Sequence, residues 1–216
     1  MARNFDGPPT RDEIPILRGQ IFTEQQVAHA IYQTACVMEQ RRDDTSVVVI
    51  SVNEGARFFS DGIRRVGRVT SPGFQPPVYE IKITRTDSDS SFRDPAVAEG
   101  LPDDLDLSQV KAWVEEDIVD EGRTIVEAIL PLLTSHGAKE ENISIWSLLA
   151  RSREFVKRDP ELDRMTHAAL IIDSDGFVFG SNIDDARLRK YPRYAHDAGR
   201  GEAGIWENDP IKPNNE

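Results

Sequence analysis

Cys36 is the only cysteine in this 216-residue chain. An internal disulfide framework is therefore excluded, and a reducing, cytoplasmic setting is expected. Long apolar runs are missing too: nothing approaches the roughly 20 residues that span a bilayer, and residues 1–6 lack the apolar stretch of a signal peptide. Positive charge is scarce, with 26 Lys and Arg against 38 Asp and Glu. The resulting net charge of −12 speaks against non-specific binding to nucleic acid. The four histidines, His29, His136, His167 and His196, are scattered, without the spacing of a structural zinc site. What remains is a chain long enough to bury one α/β core with extensions.

Alternating periodicities organise that core. Residues 23–40 carry a helical pattern, with Thr23 placed as a cap and Gln26 in capping-box register. Residues 45–52 read as a buried parallel strand, 56–65 as a helix carrying Phe58, Phe59 and Ile63 inward, and 78–84 as a strand after the Pro72, Pro76 and Pro77 loop. From 85 to 106 the chain is acidic and Ser-rich with no period, which reads as a mobile excursion or as a lid. A short strand over 110–114 is followed by Ile125, Val126, Ile129, Leu132 and Leu133 at helical spacing, where Pro131 predicts a kink or an early end. Strands follow at 143–149, 168–172 and 177–179. The expected fold is α/β, a mostly parallel twisted sheet flanked by helices. The tail after Arg200 is expected to be loose unless Ile205 and Trp206 dock.

Chemistry concentrates between the strand at 110–114 and the helix after it. There Glu115, Glu116, Asp117, Asp120 and Glu121 crowd around Gly122, Arg123 and Thr124. As a structural feature, Asp120 and Glu121 would cap the helix and favour its dipole, with residues 115–117 as a solvated turn. As a site, the backbone N–H groups of the first helical turn make an anion cradle, while neighbouring carboxylates accept from hydroxyls. A phosphorylated sugar carries both groups, and Gly122 lets the backbone come close to it.

The run Glu116-Asp117-Ile118-Val119-Asp120-Glu121-Gly122-Arg123-Thr124 after an apolar strand resembles the ribose-phosphate loop of type I phosphoribosyltransferases, most closely the hypoxanthine-guanine branch. Gly176-Phe177-Val178-Phe179-Gly180, Ile183-Asp184-Asp185 and Arg189-Lys190-Tyr191 are similar to that branch's base-binding hood. Residues 21–27 are similar to its opening helix, and residues 48–59 to its first core strand and turn. The likeness therefore runs in order from about Ile21 to Arg193. It implies the type I phosphoribosyltransferase fold with a small hood formed by N- and C-terminal segments. The domains are then an arm over 1–20, a phosphoribosyltransferase domain with hood over 21–200, and a tail over 201–216.

The resemblance implies a purine phosphoribosyltransferase of purine salvage. It would transfer the 5-phosphoribosyl group from phosphoribosyl pyrophosphate to a 6-oxopurine (hypoxanthine, guanine or xanthine), release pyrophosphate and use Mg2+. Asp120 is implied as the catalytic acid/base, and Glu116, Asp117, Asp120, Glu121, Gly122, Arg123 and Thr124 as the ribose and phosphate site. Arg151, Phe177 and Val178 would hold the base; Asn53, Glu54, Gly55, Arg189 and Lys190 the pyrophosphate; Glu116, Asp117 and Asp184 the metal. Arg151 stands where the family carries a lysine, and either side chain can only donate, which favours a 6-oxo over a 6-amino group. Departures from the family are Glu54 in the pyrophosphate turn, Glu121 in place of a small hydroxyl residue, and Thr86-Asp87 where the lid usually has Ser-Tyr. The expected assembly is a homodimer or homotetramer, without nucleic acid or membrane partners. Two other readings use the same acids. One is a catalytically weak sensor of phosphoribosyl pyrophosphate or nucleotide with the same fold. The other is a receiver-like signalling module, which would need an acidic pair near the first strand, where this chain has Val52-Asn53.

Overall fold

The computed structural model describes residues 17–42, 46–52, 55–86, 92–152, 159–173, 177–179 and 205–208, and for 17–20, 85–86, 92–97, 177–179 and 205–208 the backbone alone. These residues fall in two compact units, one drawn from 1–24 and 175–216, the other from 25–174. The larger unit is built on a six-stranded sheet in the order β4-β3-β2-β5-β6-β7. Its strands are β2 (Val47–Val52), β3 (Val78–Thr86), β4 (Phe92–Glu99), β5 (Lys111–Val119), β6 (Ile143–Arg151) and β7 (Thr166–Ile172). All neighbours run parallel except β3 and β4.

Burial on both faces explains the nearly continuous apolar strands. Val48, Ile50, Val114 and Ile145 join a core with Ile125, Ile129 and Leu133. On the opposite face lie α1 (Glu24–Gln40), which buries Val27, Ala30, Ile31, Thr34, Ala35 and Met38, and α2 (Arg57–Thr70), which buries Phe59, Ser60 and Ile63. The helix after the acidic run starts as a π-helical segment, Ile125–Ile129, and continues as α3 (Leu130–Ser135) with Pro131 in its first turn. The expected disturbance at Pro131 is thus absorbed by a wider turn just before it, where a missing N–H costs little. A short α4 (Pro160–Met165) opens on Asp159, whose side chain accepts from the Glu161 N–H at 2.7 Å.

Two expectations need correction. The segment 85–106 is not without regular structure: β4 lies in it and pairs antiparallel with β3, Ile83 opposite Ala98. The central strand does not end at Val114 but runs on through the acids to Val119. The smaller unit is a three-stranded sheet, β1 (Leu17–Phe22), β9 (Ile205–Asn208) and β8 (Phe177–Phe179), with β9 in the middle. N- and C-terminal segments therefore do combine into one small body, and Ile205 and Trp206 lie in its central strand.

An aromatic row crosses the sheet near the start of its strands. Trp113 on β5 meets Trp146 on β6 edge-on at 5.8 Å, and Trp146 meets His167 on β7 at 4.6 Å. Arg41, just past the end of α1, lies 5.5 Å over Trp146 and places Nη1 2.6 Å from the His167 Nε2. An imidazole that accepts from a guanidinium is neutral. Burial, and secondarily the Arg41 charge, push His167 down from 6.5 to about 4. As pH falls, the unfolded chain takes up this proton first, so the His167 contribution is complete above 6.5 and lost between 6.5 and 4. We expect His167→Gln to flatten the fall of denaturant midpoint between pH 7 and 4.5; a parallel fall in both proteins would contradict this.

Candidate active site

The order of the strands locates a crevice. The chain steps outward from β2 to β3 and β4, then returns to the other side of β2 with β5, so the connections diverge between the carboxyl ends of β2 and β5. In open α/β sheets ligands bind at such a switch point. Here β2 leads into the turn that contains Gly55, and β5 carries Glu116 and Asp117 toward its carboxyl end.

Both acids are held by their own backbone. The Asp117 N–H donates to Glu116 Oε1 at 3.3 Å, and the Ile118 N–H donates to Asp117 Oδ1 at 2.8 Å. Glu116 is buried and Asp117 half-buried. The second oxygen of Asp117 faces Gly55 so closely that a Cβ there would lie 2.5 Å from it. Glycine at 55 thus leaves room for the Asp117 carboxylate against the turn after β2.

The loop then turns on Gly122, whose φ is +78°. A side chain there would also overlap the Leu162 methyl of α4. The first intrahelical bond runs from the Val126 N–H to the Gly122 carbonyl at 3.0 Å, so residues 123–125 form the first turn, whose N–H groups face the loop. Arg123 lies back along the helix and donates to Glu127 Oε1 at 2.9 Å. Glu121 is exposed, and Thr124 is half-buried. Across the loop, Arg151 at the end of β6 donates from Nε to Asp120 Oδ1 at 2.8 Å, with the arginine side chain 11% and the aspartate 51% exposed. That pair joins the two residues assigned separately to the base's oxo group and to its proton, a contact the sequence did not disclose.

Among the sequence-derived candidates, Gly55, Glu116, Asp117, Asp120, Gly122, Arg123, Thr124 and Arg151 lie in the larger unit, at its strand ends or in the loop after β5. Phe177 and Val178 lie in β8 of the smaller unit. Asn53, Glu54, Asp87, Asp184, Arg189 and Lys190 lie outside the described residues.

Glu115 is not part of a solvated turn: it is 1% exposed. Ser60 on α2 donates to its Oε2, and Ser51 on β2 bonds Ser60 at 2.9 Å. Burial pushes the Glu115 carboxyl up from 4.5 to about 7, while the Ser60 bond and then Arg64 pull the other way. Strand parity was the available signal: Glu115 shares a face with Trp113, two residues back on the same strand.

No group of three or more His, Cys, Asp or Glu side chains that could hold a metal occurs among the described residues. Glu116 and Asp117 are hard oxygen donors, and two carboxylates suit Mg2+ that arrives with a phosphorylated substrate and keeps several waters.

The loop makes a stability prediction. Gly122→Ala combines a left-handed backbone with the Leu162 overlap and should cost on the order of 1–3 kcal/mol. Adding Leu162→Ala should recover the overlap but not the backbone cost, giving a coupling above about 0.5 kcal/mol in a double-mutant cycle. Strict additivity would show that α4 does not bear on Gly122.

No family model and no curated protein matches the sequence. Solved structures do match. A hypoxanthine-guanine phosphoribosyltransferase of Leishmania donovani superposes with a TM-score of 0.66 at 16% identity, over 92% of this chain and 100% of that one. A hypoxanthine phosphoribosyltransferase of Staphylococcus aureus gives 0.65 at 16% identity, over 90% and 92%. One from Trypanosoma cruzi, in complex with the product IMP, gives 0.63 at 18% identity, over 94% and 98%. This chain has the type I phosphoribosyltransferase fold.

Proposed function

We propose that this protein is a purine phosphoribosyltransferase, transferring a 5-phosphoribosyl group from phosphoribosyl pyrophosphate to a ring nitrogen of a 6-oxopurine and releasing pyrophosphate. The observation that carries the reading is the placement of Asp117, next to Glu116, against Gly55 at the switch point, one loop away from a glycine-turned helix start. Such a crevice accepts from vicinal hydroxyls on one side and donates to phosphate on the other.

Glu116 and Asp117 orient the ribose hydroxyls or the waters of a metal ion. The loop over 120–124 holds the 5′-phosphate through its backbone. By the resemblance, Glu116, Asp117 and Asp184 are the residues that would hold Mg2+, which would offset charge on the departing pyrophosphate. Asp120 accepts the proton that the purine loses as its ring nitrogen becomes a nucleophile. A guanidinium has five N–H donors, so Arg151 can fix Asp120 through Nε and meet a 6-oxo group through a terminal nitrogen. A 6-amino group in that place would leave donor facing donor, a loss on the order of 1–3 kcal/mol. By the resemblance, Phe177 and Val178 cover the base, and Asn53, Glu54, Gly55, Arg189 and Lys190 attend the pyrophosphate. Homodimers or homotetramers are the assembly proposed for it.

Among the described residues no helix is long and apolar enough to cross a membrane; a cytoplasmic setting is part of the proposal. A sensor that binds phosphoribosyl pyrophosphate without turnover is the second reading, favoured by the exposed Glu121 in the phosphate loop and by the Arg123–Glu127 pair at its base.

Two variants separate these readings. Asp120→Asn should lower turnover by roughly 100- to 10,000-fold while the Kd for phosphoribosyl pyrophosphate, measured calorimetrically, shifts less than about threefold. Arg151→Leu should raise KM for a 6-oxopurine by about tenfold and narrow its preference over adenine. Undiminished turnover in Asp120→Asn would remove that carboxylate from the mechanism.

A further inference from the structure

A pocket with an empty volume of about 590 Å³, counting the space at its mouth, lies between α1 and α2 on the face of the sheet that carries Trp113. It is apart from the crevice described above: its strand residues are Val49, Val78, Trp113 and Glu115, none of them in the loop after β5. Met38 and Ile63 supply apolar walls, and Phe74 stands edge-on to Trp113 at 6.1 Å, which makes an aromatic corner.

Glu115 gives this apolar space a polar end. Burying a carboxyl is costly unless it is bonded. Among the described residues its one hydrogen-bond partner is Ser60, on Oε2. A tie between α2 and β5 would need only that oxygen and a closed wall, whereas Glu115 lines a pocket. Charge of both signs sits on the same walls, Glu39 and Arg64, the latter 2.7 Å from Asp61. Neither a cation nor an anion is therefore favoured.

We propose that this pocket is a binding site for a small, neutral, aromatic N–H heterocycle, its ring against Trp113 and Phe74 and its N–H donated to Glu115. A carboxyl oxygen accepts such a bond in either protonation state. The same carboxyl is joined through Ser60 to Ser51 near the end of β2, and Glu116 follows it directly, so occupancy bears on both strand ends that form the crevice. This inference does not depend on the transferase reading.

Indole and benzofuran test it, since they match in shape and differ in the N–H. In calorimetry with the full chain, indole should bind at a single site at least tenfold more tightly than benzofuran. Gly67 lines the pocket on α2, and nothing lies within 4 Å of where its Cβ would be. Gly67→Leu should therefore fill the pocket and abolish indole binding while the thermal transition is kept or raised, because a helical glycine is replaced. Glu115→Leu, where it folds, should reduce indole to the affinity of benzofuran. Equal binding of the two probes, no binding of either, or undiminished binding by Gly67→Leu would overturn the proposal.

Discussion

The parallel pairing of β2 with β5 is the constraint on which the crevice depends. It brings together the strand ends on the two sides of the switch point, and glycine at position 55 leaves room for the Asp117 carboxylate, since a Cβ would stand 2.5 Å from its oxygen. On β5 the two acids are each held by a neighbouring backbone N–H, and a second glycine, Gly122, turns the chain under Leu162. A site assembled from backbone approaches tolerates wide changes of sequence elsewhere. That is consistent with a fold kept at 16–18% identity to the structures it superposes on.

Among the described residues, the carboxylates around this crevice meet few basic side chains. Arg151 answers Asp120, and Arg123 answers Glu127. Glu121 stands exposed beside the helix start, where a dianionic phosphate would sit in the proposed complex. Holding that phosphate then falls to backbone N–H groups and the helix dipole rather than to a basic side chain. In the proposed complex the Arg151 pairing would orient Asp120 before the base arrives, and preorganisation of a proton acceptor is where a transferase would gain over a mere binder of the same ligand.

How far the sequence disclosed all this depended on whether a residue's role was local. Parallel strands buried on both faces announce themselves, so β2 and β6 were legible from nearly continuous apolar runs, and the partly buried edge strand β7 from the run Ala168 to Ile172. The end of β5 was not, because three consecutive acids resemble a solvated turn; Glu115 is buried through Ser60, a residue 55 positions away whose approach no local pattern records. β4 was hidden by Pro95 and its acidic surroundings, since an edge strand can tolerate proline and pair through the backbone on one side. The motif residues of the loop were legible because a glycine turn before a helix is a local device. The Arg151–Asp120 pair, spanning 31 positions, was not. The smaller unit's β9 escaped for the same reason: one of its two partners, β1, comes from the opposite end of the chain.

Pyrophosphate release tests the central claim most directly, with phosphoribosyl pyrophosphate and Mg2+ and with hypoxanthine, guanine, xanthine or adenine supplied separately beside a no-base control. The account predicts release that requires both base and Mg2+, faster with at least one 6-oxopurine than with adenine. Tight binding of phosphoribosyl pyrophosphate with no base-dependent release from any of the four would contradict it.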